Sequence, residues 1–289
     1  MDSSSKRSKV KTLLIAIFIF VVYVIAAKLG LKLAFVNASA TAIWAPTGIA
    51  LVSFLIFGGQ FWPSVFMGAF LVNWLTAGSL TTSLVIAGGN TLEGLLGALL
   101  VHKFANGRKV FERAADILKF IVVAEVISTA VSPSIGVTIL CLEGYAPWIK
   151  YSDIWTTWWL GDLTGALIVA PLLLLWFDYP QTPIRQVPGI LASLLLVGLT
   201  GQVVFGNWLF PAIQNLPLEF LCVPPLIWTA FRFSLRDTAT ASFLLTAIAL
   251  WHTIHGTGPF VRPFPNQSLL LLQIFMGVIS MTALTLAAA

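Results

Sequence analysis

Ten apolar runs separated by short polar joints leave this chain few ways to fold. They cover roughly 13–35, 43–58, 61–77, 82–101, 117–141, 154–177, 189–209, 218–233, 238–254 and 268–288. Most are long enough to cross a hydrocarbon core of about 30 Å as a helix. The lipid interior supplies no water, so a spanning segment must satisfy its own backbone groups. The runs are continuous rather than alternating, which points to helices and away from an outer-membrane barrel. Only 9% of the 289 residues are charged, against about 25% in a soluble domain. The expected fold is therefore all-α: a polytopic integral membrane protein of about ten transmembrane helices. The runs at 43–58, 61–77 and 218–233 are short. Sixteen residues make about 24 Å of helix, so eight spans plus re-entrant segments is the alternative.

The basic residues test the count. With the N-terminus inside, the inner segments hold Lys6, Arg7, Lys9, Lys11, Lys103, Arg108, Lys109, Arg113, Lys119, Arg185, Arg232 and Arg236. The outer side holds Lys28, Lys32, Lys150 and Arg262. This positive-inside bias puts both termini in the cytoplasm. It also explains the net charge of +5 without a nucleic-acid partner. Residues 1–12 read as a cytoplasmic tail, and 13–289 as one integral-membrane domain in contact with the bilayer. A cleaved signal peptide ending near Ala26-Ala27 is the lesser alternative, because the apolar run resumes at Leu29–Val36. The two cysteines, Cys141 and Cys222, exclude a disulfide framework and leave one pairing open.

Two short spans echo each other. IWAPTGIALVSFLIFG (43–58) and FLCVPPLIWTAFRFS (220–234) both carry proline near the outer end. Both are followed by a tight inner turn, and they lie six spans apart. That pattern admits a parallel internal repeat, and proline-broken spans in matching positions point to a membrane binding site.

Buried polar residues are the other signal. In WTTWWLGDLTGALIVAP (155–171), Trp155, Trp158, Trp159, Asp162 and Gly165 recur at helical spacing and share a face. Gly161 and Gly165 form a small-x-x-x-small pair that admits close approach. A carboxylate there costs roughly 2.5–3.5 kcal/mol on insertion scales. Asp162 lies about 12 Å below the outer end of its span, Asn90 about 12 Å and Glu93 about 16 Å below theirs. At matched depth, two carboxylates are expected to share a proton or hold a cation between them. A purely structural polar network is the alternative. Asn73, Glu125, Gln202 and Gln273 read as interhelical hydrogen bonds. His252 and His255 are a weak candidate zinc pair, and no metal site is expected.

No P-loop, G-x-S-x-G elbow, H-E-x-x-H helix or paired metal-binding cysteines occurs, so no catalytic residues are expected and the chain does not read as an enzyme. HGTGPF (255–260) is too short for a dinucleotide loop.

The blocks IWAPTGIAL (43–51), FWPSVFMGAFLVN (61–73), AGGNTLEGLLGALL (87–100), WTTWWLGDLTGALIVAPLLL (155–174), PPLIWTAFRF (224–233) and GTGPF with LLLLQIF downstream run through nearly the whole chain. Together they resemble the membrane-associated sensor domain family of the first type, and WWLGD and GNTLE are the most diagnostic of them. The resemblance implies a bacterial inner-membrane sensory input module. Such modules are usually fused to a cytoplasmic histidine kinase, diguanylate cyclase or phosphodiesterase. It names no cofactor and no agreed ligand. The chain stops at LTLAAA, so an output domain or a separate partner protein is expected outside it, and a homodimer is compatible.

Combining both lines, a small ligand of unknown identity is expected in an outer-half pocket between the second, fourth and sixth spans, with the eighth near by. Trp44, Trp155, Trp158 and Trp159 would form its walls, and Asn90, Glu93 and Asp162 its floor. Pro46 and Gly48 would loosen the second span and free carbonyls to line it. Acid beside aromatic walls suits a cationic or hydroxyl-rich organic molecule. A small-molecule transporter, or a subunit that captures its substrate, is the alternative function.

Overall fold

The structure is a computed structural model that describes residues 3–32, 34–37, 40–41, 43–76, 79–178, 183–206 and 217–289. The first helix, α1 (Ser3–Lys32), leads into a small antiparallel ribbon, β1 (Ala34–Asn37) and β2 (Ala40–Thr41). Then follow α2 (Ala45–Phe57), α3 (Trp62–Trp74), α4 (Leu80–Phe104) and α5 (Ala114–Lys119). A π-helical stretch, Phe120–Glu125, joins α5 to α6 (Val126–Ser128), and α7 (Val131–Leu142) continues the same span. The remainder is α8 (Tyr151–Asp178), α9 (Val187–Phe205), α10 (Val223–Arg232), α11 (Leu235–Ile254) and α12 (Pro265–Ala287).

Helix falls on each expected apolar run, but helix is not the same as a membrane crossing. Among the described residues, six stretches are long and apolar enough to span: Lys9–Lys32, Leu80–Phe104, Ala114–Leu142, Trp148–Asp178, Ile184–Phe205 and Pro265–Ala287. The chain is thus a multi-pass, essentially all-helical membrane protein, with the ribbon as the one sheet element among the described residues. Helix begins at Ser3 and runs on into the first apolar run, because nothing between there and residue 13 breaks it.

Local chemistry sets the helix boundaries. Ser79 caps α4 by accepting the Thr82 N–H, and Ser234 with Asp237 forms a capping box on α11. Prolines stand in the first turns of α2, α3, α9, α10 and α12, where a missing N–H costs nothing. Pro46 is one of them. It starts α2 rather than loosening it, which corrects its expected role.

The short α2 is explained by its position. It packs against α1, α4 and α8, and Pro46 through Leu55 are all buried. A helix of about 20 Å suffices there because protein, not lipid, surrounds it. Its N-terminal end is completed by the backbone of Thr41 and Trp44, which reaches onto α8. The Trp44 N–H donates to the Gly161 carbonyl at 2.9 Å, and Gln273 Nε2 to the Thr41 carbonyl at 3.5 Å. Two glycines make this approach possible. A Cβ on Gly161 would lie 2.5 Å from the Thr41 oxygen, and one on Gly165 would lie 2.1 Å from the Trp44 oxygen. A Cβ on Gly48 would likewise lie 2.8 Å from the Gly165 oxygen, so this glycine permits packing rather than flexibility.

Among the described residues three apolar clusters form the interior. The first joins α1 to α4 and the loop after α4, the second joins α9 to α12, and a smaller third joins α4, α7 and α8. α8 contributes to all three, Leu174 and Leu175 to the first, Ile168 to the second, and Ile154 and Trp158 to the third. Charged and aromatic contacts gather at one end. Arg108 Nε donates to Asp178 at 2.8 Å, Phe57 meets Phe177 edge-on, and Arg236 lies 4.7 Å over the Trp176 ring. These residues fall on one side of the alternating topology that the sequence predicts.

Candidate functional site

Five helical segments converge on a polar cluster in the first core. α8 supplies Asp162 and α4 supplies Glu93, which are 0% and 2% exposed. α2 supplies Thr47, whose hydroxyl donates to Asp162 Oδ1 at 3.1 Å. α1 supplies Tyr23, which is 1% exposed, packs on Gly68 and lies within electrostatic reach of both carboxyls. The π-helical stretch supplies Glu125, also buried and within reach of Glu93. π-turns displace a helix by one residue and recur at functional sites. Here the turn ends on the residue whose carboxyl it buries.

The donors do not balance the acceptors. Asp162 Oδ2, both oxygens of Glu93 and Oε1 of Glu125 have no hydrogen-bond partner. Glu93 and Trp158 lie close to Asp162 without forming aligned hydrogen bonds to its second oxygen. No Lys, Arg or His forms a salt bridge to Glu93, Glu125 or Asp162 among the described residues. Buried polar atoms are nearly always satisfied, so a group of carboxyls left this way needs protons or a cationic partner.

The expected aromatic wall divides. Trp158 is buried, with its ring against Gly136 of α7; a Cβ there would fall 2.7 Å from the indole. Trp44 sits half-buried against Gly30 of α1, with its indole N–H unpartnered. Trp155 and Trp159 stack on each other at 5.6 Å, and Trp155 Nε1 donates to Ser134 of α7 at 3.0 Å. Both are only half-buried. Asn90 is buried, but its amide donates to the Ile86 carbonyl of its own helix at 2.9 Å rather than across to Asp162. α10 packs mainly against α9, α11 and α12, which moves the eighth span away from the cluster.

Several other sequence candidates resolve as structural contacts. Asn73 donates to Ala69 within α3. His252 bridges Gln202 at 2.8 Å and Thr257 at 3.0 Å, which accounts for its two nitrogens. Among the described residues, no three His, Cys, Asp or Glu side chains are grouped to hold a metal. Cys141 and Cys222 are buried, unpaired and in separate clusters.

Tyr23 and Thr47 were not among the sequence candidates. A tyrosine in mid-span, with aliphatic residues around it, was the available signal for the first. Thr47 carried none, because threonine commonly bonds back to its own helix.

A family model described as MASE1 matches residues 15–289. The chain belongs to the MASE1 family. As a MASE1 domain it is a membrane sensory input module of a signalling protein. It is 28% identical over 213 residues to Probable diguanylate cyclase DgcE of Escherichia coli (strain K12). That alignment covers 71% of this chain and 18% of the relative, so the MASE1 region spans less than a fifth of that protein. No solved structure matches the chain.

Proposed function

We propose that this MASE1 domain binds a small cationic organic ligand at the Glu93–Asp162 cluster and relays occupancy to a cytoplasmic output, a histidine kinase or a cyclic-di-GMP enzyme. The single observation that carries this reading is the set of buried, unpartnered carboxyl oxygens with no basic side chain bonded to them. An ammonium group would supply both the missing charge and the missing donors. Tyr23, Trp44 and Trp158 would cover its apolar part, and such rings favour a cation over their faces. Trp155 and Trp159, half exposed beside the cluster, would guard the outer approach.

The same reading takes residues 13–289 as one inner-membrane domain with ten crossings and both termini in the cytoplasm. It allows a parallel repeat, since α2 and α10 both start on a first-turn proline. It also allows a homodimer. Supporting it are the charge bias and the clustering of Arg108, Asp178, Trp176 and Arg236 at one end.

Two measurements test it. Single cysteines placed at 108 and 150, in a background lacking Cys141 and Cys222, should label differently in intact cells. An impermeant reagent should reach 150 and not 108; labelling at 108 would reverse the topology. For the ligand, a panel of organic amines should be screened by thermal unfolding of the purified chain. An amine that stabilises the wild type should lose about tenfold affinity or more in Trp158→Ala, which removes a large ring from the wall. Equal affinity for the two proteins would remove the tryptophan from the site. Accumulation of the same amine in proteoliposomes would favour the transporter reading.

A further inference from the structure

The segment HGTGPF (255–260) plays no part in the acidic cluster. It turns the chain from α11 into α12. Gly256 and Gly258 take φ of 76° and 95°, a region that glycine enters without a Cβ penalty. The turn borders a half-open cavity of about 160 Å³ between the two helix ends, on the side that the proposed topology places outside.

Three of the eight residues that line the cavity, Thr253, Arg262 and Ser268, carry side-chain donors. Thr253 lines it, is 7% exposed, and its hydroxyl has no hydrogen-bond partner. A buried hydroxyl left unpaired is costly unless something enters to pair with it. Arg262 also lines the cavity. Its Nη1 donates to the carbonyls of Pro259 and Val261 at 2.9 and 2.8 Å, which fixes the guanidinium and uses one of its three nitrogens. Ser268 Oγ accepts the Arg262 N–H at 2.8 Å and keeps its own proton to donate. The 23-residue α12 begins here behind Phe264, which offers no capping side chain. Pro265 brings no N–H to the first turn, and the N–H groups of Gln267 and Ser268 donate to the Phe264 carbonyl, so this helix end offers the cavity its dipole rather than free donors. No carboxylate lines the wall.

We propose that this cavity binds a phosphate-type oxyanion, held by Arg262 and the hydroxyls of Thr253 and Ser268, beside the N-terminus of α12. A helix N-terminus alone would not define such a site. The orphaned hydroxyl of Thr253 is the independent observation that points to a ligand. Binding would tie α11 to α12 at the outer face. Because α12 runs on to Ala287, the anion would act on the helix nearest the C-terminal end of the chain. This site is separate from the Glu93–Asp162 cluster and does not depend on it.

The test uses the purified chain titrated with inorganic phosphate at constant ionic strength, with chloride as the control. Phosphate should raise the unfolding temperature saturably. Its affinity should fall about tenfold or more in Arg262→Gln and about threefold in Thr253→Val, which keeps the shape but not the hydroxyl. A second arm compares phosphatidylglycerol with phosphatidylcholine nanodiscs without added phosphate. Arg262-dependent stabilisation by phosphatidylglycerol alone would assign the same site to a lipid headgroup; a response to free phosphate would assign it to a soluble anion. Should Arg262→Gln fail to fold, Thr253→Val and Arg262→Lys decide. Wild-type affinity in Thr253→Val and in the folded Arg262 variant, or no response in either arm, would overturn the proposal.

Discussion

Asp162→Asn is expected to silence the intact sensor while leaving the membrane domain folded. The two effects separate because the substitution changes charge and hydrogen bonding but hardly changes volume. Thr47 can still donate to the side-chain carbonyl where it now donates to Oδ1. The new amide also brings donors beside Glu93, whose two oxygens have none. Stability should therefore stay within about 3 °C of the wild type in unfolding temperature, or rise, since a neutral amide is cheaper to bury than a carboxylate. The response has no such compensation. A cationic ligand would face one carboxylate fewer, and removing one partner of a buried charge pair commonly costs about 3–5 kcal/mol. That is a loss of more than a hundredfold in affinity. Output activity and thermal stability should be measured side by side. An intact response would rule out the ion-pair role. A joint loss of stability and response would make Asp162 a structural tie between α2 and α8.

Much of this site was legible because helices are regular. Counting turns brought Glu93 and Asp162 to similar depth, and both are buried in one cluster. The same counting could not show which neighbour each polar group would choose. Asn90 is at matched depth too, yet it finds an acceptor four residues back on its own helix. Spacing put Trp155, Trp158 and Trp159 on one side of a helix, but only tertiary packing could bury Trp158 on Gly136 and leave the other two stacked near the surface. Thr47 and Tyr23 reach the cluster from distant segments, and of the two only Tyr23, a tyrosine in an aliphatic span, carries a local signal. The glycine pair in α8 predicts the close approach of another helix. At Gly165 the start of α2 does come close, through Ala45 and Gly48, but the nearest atoms at Gly161 and Gly165 are the carbonyl oxygens of Thr41 and Trp44, which precede that helix and which a motif of small residues cannot reveal.

That backbone contact sets up a matched pair of substitutions with opposite signs. Gly165→Ala should be strongly destabilising, because the added methyl would lie 2.1 Å from the Trp44 oxygen and 2.6 Å from its carbonyl carbon. These atoms belong to a segment whose N–H is bonded to Gly161 and whose carbonyl accepts the Thr47 N–H, so it cannot swing aside. Overpacking usually costs about 1–3 kcal/mol, and a clash against constrained backbone belongs at or above the top of that range. Displacing Trp44 would also pull Thr47 from Asp162, so the sensor response should fall with stability. Gly88→Ala is the counterpart. Its Cβ would meet nothing within 4 Å, and it sits inside α4, where alanine is favoured over glycine by about 1 kcal/mol. It should leave the fold as stable or more so. The readout is the unfolding temperature of both variants in one detergent. If Gly165→Ala matches Gly88→Ala, the Trp44 carbonyl does not lie on α8, and the geometry that holds Thr47 against Asp162 fails with it.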